Sequence, residues 1–240
     1  MHHYGYQYHV ENEVFWGGIN NGWEKVSMGL WQKLCKHSNN ILDVGANTGV
    51  FSLVAKAVNP GSKVISFEPM PGIMRKLKYN VELNNYDVLL SDFALSDYDG
   101  TAIIYPTSLE HVYSVTVNKN MFPERKSVEL SIKTIRLDHF IEENNIRGID
   151  LMKIDVETHE LQVLLGMGKY LAQFKPAMLI EIQNDEIADG VQKLVEGLGY
   201  LYFNIDENSG FRQTDKLGKS DYLNYLLCSR EVAKKILLIS

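Results

Sequence analysis

Residues 41–49 read Ile-Leu-Asp-Val-Gly-Ala-Asn-Thr-Gly, and this run constrains the fold more than any other. Ile41 to Val44 is a short apolar stretch holding one carboxylate, Asp43. Gly45 and Gly49 follow, and then Val50, Phe51, Leu53, Val54 and Ala57 recur at helical spacing. The pattern is strand, glycine turn, helix, which brings bare backbone N–H groups and a helix N-terminus against a ligand. A second strand, 63–67, ends in Glu68, 23 positions after Gly45. An acid about 20 positions beyond such a turn suits a pair of ribose hydroxyls.

The glycine spacing narrows the ligand. A dinucleotide fingerprint reads G-x-G-x-x-G, with bare glycine against a pyrophosphate. Here the spacing is G-x-x-x-G, Ala46 stands at the second glycine position, and Asp43 lies two residues before the first. A carboxylate there repels phosphate and tolerates an ammonium or sulfonium. The turn together with Glu68 points to a nucleoside ligand without phosphate.

The rest of the chain alternates strands and helices. Strands are expected at 41–44, 63–67, 88–90, 149–154, 177–182, 200–205 and 222–229. Helices are expected at 23–36, 49–58, 69–84, 137–145, 157–165 and 186–197. This is an α/β, Rossmann-like, seven-stranded and mostly parallel sheet with helices on both faces. Period-two alternation at 101–105 and 127–135, around a polar loop 106–126, reads as an inserted β-hairpin. Residues 1–23 carry Tyr4, Tyr6, Tyr8, Phe15, Trp16 and Trp23 and read as an aromatic arm or lid ahead of a single domain, with 24–240 as its core. With 240 residues, 45% of them hydrophobic, the chain can bury a sizeable core.

Composition excludes several partners. The net charge is −6, and no run of Lys and Arg forms a nucleic-acid stripe. No apolar run reaches membrane-spanning length, and no basic segment leads into an apolar one at the start. Cys35 and Cys228 lie far apart and read as free thiols in a reducing, cytoplasmic compartment.

Ligands of open α/β sheets sit beyond the carboxyl ends of the strands, at the switch point of strand order. Asp43, Glu68, Asp92, Asp155 and Glu181 all fall at or near such ends. Their order and spacing resemble class I S-adenosylmethionine-dependent methyltransferases, and among them the FkbM-type family. The resemblance runs over roughly residues 38–230. It rests on Asp43–Gly49, on Phe67-Glu68-Pro69, on Ala94-Leu95-Ser96-Asp97 with Gly100, and on Leu137-Asp138. It also rests on Lys153-Ile154-Asp155-Val156-Glu157 through Glu160, Leu161, Leu164 and Gly166, on Glu181, and on Asn224. One departure stands out: Thr158 and His159 occupy positions where the family usually has Gly and Ala.

The resemblance implies S-adenosylmethionine as cofactor. Gly45, Ala46, Asn47, Thr48 and Gly49 would wrap its methionine end, with Asp43 in contact directly or through water. Glu68, followed by Pro69, would hold both ribose hydroxyls, and Asp92, Phe93 and Ala94 would frame the adenine. The implied reaction is O-methylation of a small-molecule hydroxyl, on a sugar or glycan. Asp155, Glu157 and His159 are the candidate catalytic residues, and Asp155 is also a candidate cofactor contact. Asp155 followed by Thr158 also fits a helix N-cap, Glu157 and Glu160 fit a helix start where carboxylates gain from the dipole, and His159 fits a packing residue. His111 and Tyr113 in the inserted hairpin, and Glu181, are candidate acceptor contacts. Asp155 with Glu181 offers hard oxygen ligands, but without a denser acidic cluster no metal is expected. The aromatic arm can stack on a sugar ring or bury into a homodimer contact. Two other readings compete: a scaffold that keeps the fold and the cofactor without turnover, and a nicotinamide-dependent oxidoreductase, against which the missing G-x-G-x-x-G argues.

Overall fold

The computed structural model describes residues 24–104 and 129–236, with 17, 18, 21, 22 and 238 besides. The six aromatics of the arm, the loop 106–126, and with it His111 and Tyr113, lie outside the described residues.

The core of the fold is set by apolar strand runs too continuous to expose either face. β1 (Asn40–Val44) and β7 (Leu151–Ile154) are buried almost end to end, as strands covered on both sides must be. Around them the large sheet runs β10-β9-β11-β8-β7-β1-β2-β3. Here β2 is Lys63–Phe67, β3 is Val88–Ser91, β8 is Ala177–Glu181, β9 is Tyr200–Asp206, β10 is Gly210–Thr214 and β11 is Asn224–Ser229. The pairs β1–β2, β2–β3, β1–β7 and β7–β8 are parallel; β11 runs antiparallel to β8 and β9.

The sheet has eight strands where seven are expected. The addition is β10, which pairs antiparallel with β9 across a tight turn. Asp206 closes that turn by accepting from Asn208 N at 2.8 Å and from the Ser209 hydroxyl. β10 is a mostly exposed edge strand, so the sequence carries no apolar alternation to mark it.

Helices cover the two faces separately. On one face α1 (Lys25–Cys35), α2 (Val50–Val58) and α8 (Arg230–Lys235) pack Met28, Trp31, Phe51, Val54 and Ala233 on Ile41, Leu151, Leu179 and Leu226. The Trp31 indole donates to Phe51 O at 2.9 Å, tying α1 to α2. On the other face α4 (Leu137–Glu143), α5 (Glu160–Met167), α6 (Lys169–Phe174) and α7 (Asp185–Val195) pack on Leu42, Val44, Met152, Ile154, Met178 and Ile180. α3 (Pro71–Leu83) opens on Pro71, whose missing N–H costs nothing at a helix start.

The inserted hairpin is present as β5 (Gly100–Ile104) against β6 (Leu130–Arg136), with Gly100 opposite Thr134 and Ile104 opposite Leu130. A third strand, β4 (Ala94–Ser96), joins it parallel to β6. Three residues so soon after β3 are too few to show a period. Gly166 explains its place in the family pattern. A Cβ on it would stand 2.0 Å from Ser96 O, so α5 can lie on the end of β4 only with a bare backbone there.

Candidate functional site

Strand order reverses direction between β1 and β7. The chain leaves β1 through α2 toward β2 on one side, and leaves β7 through α5 and α6 toward β8 on the other. This is the switch point beyond which open α/β sheets bind ligands. The two turns that leave it touch. Gly45 has φ +78°, and a Cβ there would lie 1.9 Å from Asp155 O. Gly45 N and Ala46 N both donate to Phe67 O, at 3.1 and 2.9 Å, while Asp155 N donates to Val44 O at 3.1 Å. Asn47 (φ 49°) and Gly49 (φ 96°) continue the left-handed turn, and Gly49 is the N-cap of α2.

Glu68 emerges from β2 directly into this turn. One carboxylate oxygen accepts from Asn47 N at 3.0 Å and the other from Met70 N at 2.9 Å. The residue is 6% exposed. Burial pushes its carboxyl up to about 7 against the pull of those two N–H groups. Asn47 and Glu68, 21 positions apart, are thus brought into direct contact, and Thr48 O accepts from the buried Asn80 amide of α3 at 2.8 Å. Pro69 follows Glu68 and precedes Met70, the N-cap of α3.

Asp43 is fully buried on the α1–α2 face. Its Oδ2 accepts from Ser52 Oγ at 2.5 Å, and Ser52 Oγ lies 2.7 Å from Ser66 Oγ. Its Oδ1 has no hydrogen-bond partner. Burial raises its pKa, and Lys153 opposes that rise. Lys153 is Asp43's register partner on β7. Its ammonium lies 2.9 Å from Asp155 Oδ2 and 4.6 Å from the Phe51 ring centroid. Burial pulls the Lys153 pKa down, but Asp155, Asp43 and Glu24 together lift it above the ordinary lysine value.

Sequence reasoning assigned Lys153 no role, although a lysine inside an otherwise apolar strand was a visible signal. Glu24 was also missed. It is the left-handed N-cap of α1, pushed up to about 8 by burial, with Lys153 and the Asn224 side chain acting against it. The start of α1 is held by Glu207, whose carboxylate accepts from Val26 N at 2.6 Å and from the Ser27 backbone and hydroxyl.

Asp155, Glu157 and Glu181 come together beyond β7 and β8. Gln183 Nε2 donates to Glu157 Oε2 at 3.0 Å and to Glu181 Oε2 at 2.8 Å. Burial, and then Asp155, push Glu181 up to about 7, and burial raises Glu157 as well. Asn224, opposite Glu181 in register, reaches Ser27 Oγ at 3.3 Å.

Two local expectations are corrected here. The helix expected from Glu157 starts at Glu160, because Glu157 (φ 53°) and Thr158 (φ 77°) are left-handed. Asp155 is therefore no N-cap. That position falls to His159, which makes no side-chain capping bond. Glu160 stands in the first turn of α5, as expected of a carboxylate at a helix start, and is fully buried. It accepts from Val156 N at 3.2 Å, its other oxygen is unpartnered, and burial pushes it up to about 8.

The remaining candidates have other partners. His159 Nε2 lies 3.0 Å from Ser96 Oγ, toward the small sheet, and burial lowers its pKa. Asp92 is exposed and pairs with Lys133 at 3.2 Å, and the same ammonium lies 5.6 Å from the Phe93 ring centroid. Phe93 and Ala94 are half-buried. Among the described residues no group of three or more His, Cys, Asp or Glu is placed to hold a metal ion. No helix among them is long and apolar enough to cross a membrane.

Left-handed backbone at a β-branched residue is rare, and an L-residue there costs about 1–2 kcal/mol. Thr158 stands at such a position. We expect Thr158→Gly to stabilise the protein by about 1 kcal/mol, once the greater freedom of glycine in the unfolded chain is set against the relief. Thermal melts should show a rise of roughly 2–4 °C; no rise would mean the turn carries no strain.

The raised carboxyls have a measurable consequence. Glu24 and Glu160 (about 8) and Glu68 and Glu181 (about 7) hold protons in the folded state that the unfolded chain, near 4.5, has released. Their contribution to stability is greatest below about pH 5 and is lost as pH rises through 7–8. Buried His159 acts oppositely, its contribution fading on acidification below about 6.5. The melting temperature should fall by about 5 °C or more between pH 6.5 and 8.5. Glu160→Gln should flatten that slope, and a melting temperature that climbs over this range contradicts the assignment.

A Rossmann-like sheet with an acid-flanked glycine turn at its switch point defines a methyltransferase-type fold. A crystal structure of methyltransferase FkbM from Methylobacillus flagellatus superimposes with a TM-score of 0.53 at 14% identity, over 79% of this chain and 43% of that one. The Methyltransferase FkbM domain matches residues 43–211, and the chain belongs to that family. Methyltransferase 1 of Beauveria bassiana is 30% identical over 145 residues, 53% of this chain and 57% of that protein. The 31-O-demethyl-FK506 methyltransferase FkbM of Streptomyces tacrolimicus is 29% identical over 152 residues, 53% and 58% of the two chains. The hexuronic acid methyltransferase AglP of Haloferax volcanii is 28% identical over 155 residues, 64% and 59%. The matched stretch thus spans under three-fifths of the length of each of these three relatives.

Proposed function

We propose that this protein is an S-adenosylmethionine-dependent O-methyltransferase acting on a hydroxyl of a saccharide. The observation that carries the cofactor is the buried Glu68 carboxylate laid against the Gly45–Gly49 turn, with Asn47 N on one oxygen and Met70 N on the other. Each oxygen keeps a lone pair for one of two adjacent ribose hydroxyls, and Gly45 leaves no side chain in the way. An acidic surrounding suits a positively charged sulfonium better than a phosphate. The hexuronic acid methyltransferase among the relatives supports a saccharide acceptor, and the 31-O-demethyl-FK506 methyltransferase supports transfer to oxygen.

When bound, the cofactor supplies an activated methyl group on a sulfonium. The chain's own contribution is alignment and proton removal. Alignment of well-oriented groups supplies up to about 7–11 kcal/mol, and a positioned base adds roughly 10²–10⁴-fold. Asp155 is the residue we assign nearest the reacting hydroxyl. Lys153 holds one of its oxygens at 2.9 Å, leaving the other to orient the hydroxyl or take its proton. Glu157 and Glu181 stand beside it, whereas His159 is turned to Ser96.

Calorimetric titration with S-adenosylmethionine and S-adenosylhomocysteine tests the reading, followed by an acceptor screen with sugars and glycans. Micromolar affinity, about 8 kcal/mol, is expected. A protein that binds neither compound retains the fold and loses this function.

A further inference from the structure

Glu24 is a half-buried acid to which methyl transfer has so far assigned nothing, and it stands ahead of the family stretch 43–211. It occupies the N-cap of α1, a position that favours the short side chains of Ser, Thr, Asp and Asn, and its own side chain makes no capping bond. The helix is capped from elsewhere in the chain, by Glu207, which accepts from Val26 N at 2.6 Å and from Ser27 N at 3.2 Å. Glu24 also holds left-handed backbone, φ 48° and ψ 42°, which L-residues resist. Such strain persists where the surrounding structure fixes it, and it gathers at functional sites.

The strain places the carboxyl. Released from its own helix, it accepts from the Asn224 amide. Asn224 starts β11 opposite Glu181, and its amide also donates to Ser27 Oγ at 3.3 Å, tying the start of α1 to these strand ends. Lys153 of β7, Asp155 beyond it, Asn224 of β11 and Glu207 beyond β9 face the Glu24 carboxyl. Lys153 is the cation among them. Its ammonium pairs with Asp155 at 2.9 Å, lies over the Phe51 ring, and is drawn by Asp43 and Glu24 besides. It acts on Glu68, Glu157 and Glu181 as well. A point charge on a flexible four-carbon stem is one that a second carboxylate can share.

We propose that Glu24 is a positioning residue that acts through Lys153: when ionised it takes a share of the ammonium and loosens the hold of Lys153 on Asp155. Its bearing on methyl transfer rests on the methyltransferase reading, in which Asp155 orients the hydroxyl or takes its proton; the coupling of Glu24 to Lys153 does not. Burial pushes the Glu24 carboxyl up to about 8. Below that pH it is neutral and leaves the ammonium to Asp155; above it the ionised carboxylate shares the ammonium.

The coupling is tested by following the Lys153 Cε resonance by ¹³C NMR from about pH 6 to 9.5. The resonance should show a step with its midpoint at about 8. Glu24→Gln, whose amide oxygen can still accept from Asn224, should erase the step. Glu160→Gln, which removes the other carboxyl held at about 8, should leave it. Absence of the step, or its survival in Glu24→Gln, overturns the coupling. If Glu24→Gln does not fold, Glu24→Asp decides. Its shorter side chain draws the charge away from Lys153, so the step should shrink by about half or more, and a step of unchanged size overturns the coupling.

The positioning role is tested by kcat over the same pH range, on an acceptor found by the sugar and glycan screen. Wild-type kcat should rise about threefold or more through pH 8. In Glu24→Gln, or in Glu24→Asp to a smaller degree, that rise should be lost while KM for S-adenosylmethionine is little changed. A rate reduced equally at every pH is the mark of a merely structural residue and overturns the role. Wild type that methylates no acceptor loses the methyltransferase reading, and the Lys153 step then decides the coupling by itself.

Discussion

Gly45→Ala should cost the protein both its cofactor site and a large part of its stability. The new Cβ would stand 1.9 Å from Asp155 O, 3.0 Å from its carbonyl carbon and 3.3 Å from Val156 Cγ1. No flexible side-chain end is available to yield, because the first two obstacles are backbone. Backbone bonds fix both sides, through Gly45 N to Phe67 O and Asp155 N to Val44 O. Alanine must also adopt φ +78°, which L-residues resist. Either the turn after β1 or the turn after β7 has to retreat, and both carry candidate ligand groups. We expect a loss of about 3 kcal/mol or more, a melting temperature lower by roughly 6–12 °C, and affinity for S-adenosylhomocysteine down by about 100-fold. Gly49→Ala is the informative comparison. Its Cβ would meet Leu77 Cδ1 at 2.5 Å, the end of a side chain that can turn aside, so the damage there should be smaller. Equal losses at the two glycines would show that left-handed strain, and not the contact between the turns, sets the cost.

Glu68→Ala should remove cofactor binding while leaving the fold in place. The substitution strips the partner from Asn47 N and Met70 N and removes the only acceptor proposed for two ribose hydroxyls. Hydrogen bonds to a charged group are worth about 1.5–3 kcal/mol each. Losing two of them takes micromolar affinity down by more than about 100-fold. Glu68→Gln keeps one acceptor oxygen and should fall between. The pH dependence has a definite sign: with the Glu68 carboxyl near 7, the ionised acceptor form is lost below neutrality. Affinity should weaken by up to about tenfold per pH unit as pH falls from 7 to 5.5. Unchanged calorimetric affinity in Glu68→Ala would end the ribose assignment.

What could be read from the sequence follows from how local each feature is. The glycine turn, the acid after the second strand and the buried parallel strands each declare themselves within a few residues. β10 did not, because an exposed edge strand carries no apolar pattern, and β4 is too short to have one. At the site, Asp43, Glu68, Asp155 and Glu181 stand at strand ends as expected, since strand ends are local features. Glu24 and Gln183 were invisible because their importance comes from contacts with Lys153, Glu157 and Glu181 that only the tertiary fold creates. The start of α5 was misjudged for a different reason. Residues 157–160 have helix-compatible side chains, and only the left-handed backbone at Glu157 and Thr158 postpones the helix.

The pairing of Asp43 with Lys153 also bears on how the two central strands find each other. Because side chains alternate between faces, sliding β7 by one residue against β1 would turn the ammonium into the layer that holds Leu42 and Val44 and strand the carboxyl on the opposite side. A slide of two residues would set Asp43 against Leu151 or Asp155. Each misalignment leaves the buried Asp43 carboxyl without the ammonium that opposes its burial, whereas Lys153 carries Asp155 along with it. Two otherwise interchangeable apolar strands thus have one low-energy alignment, and the same alignment brings the turn at Gly45 against the backbone of Asp155.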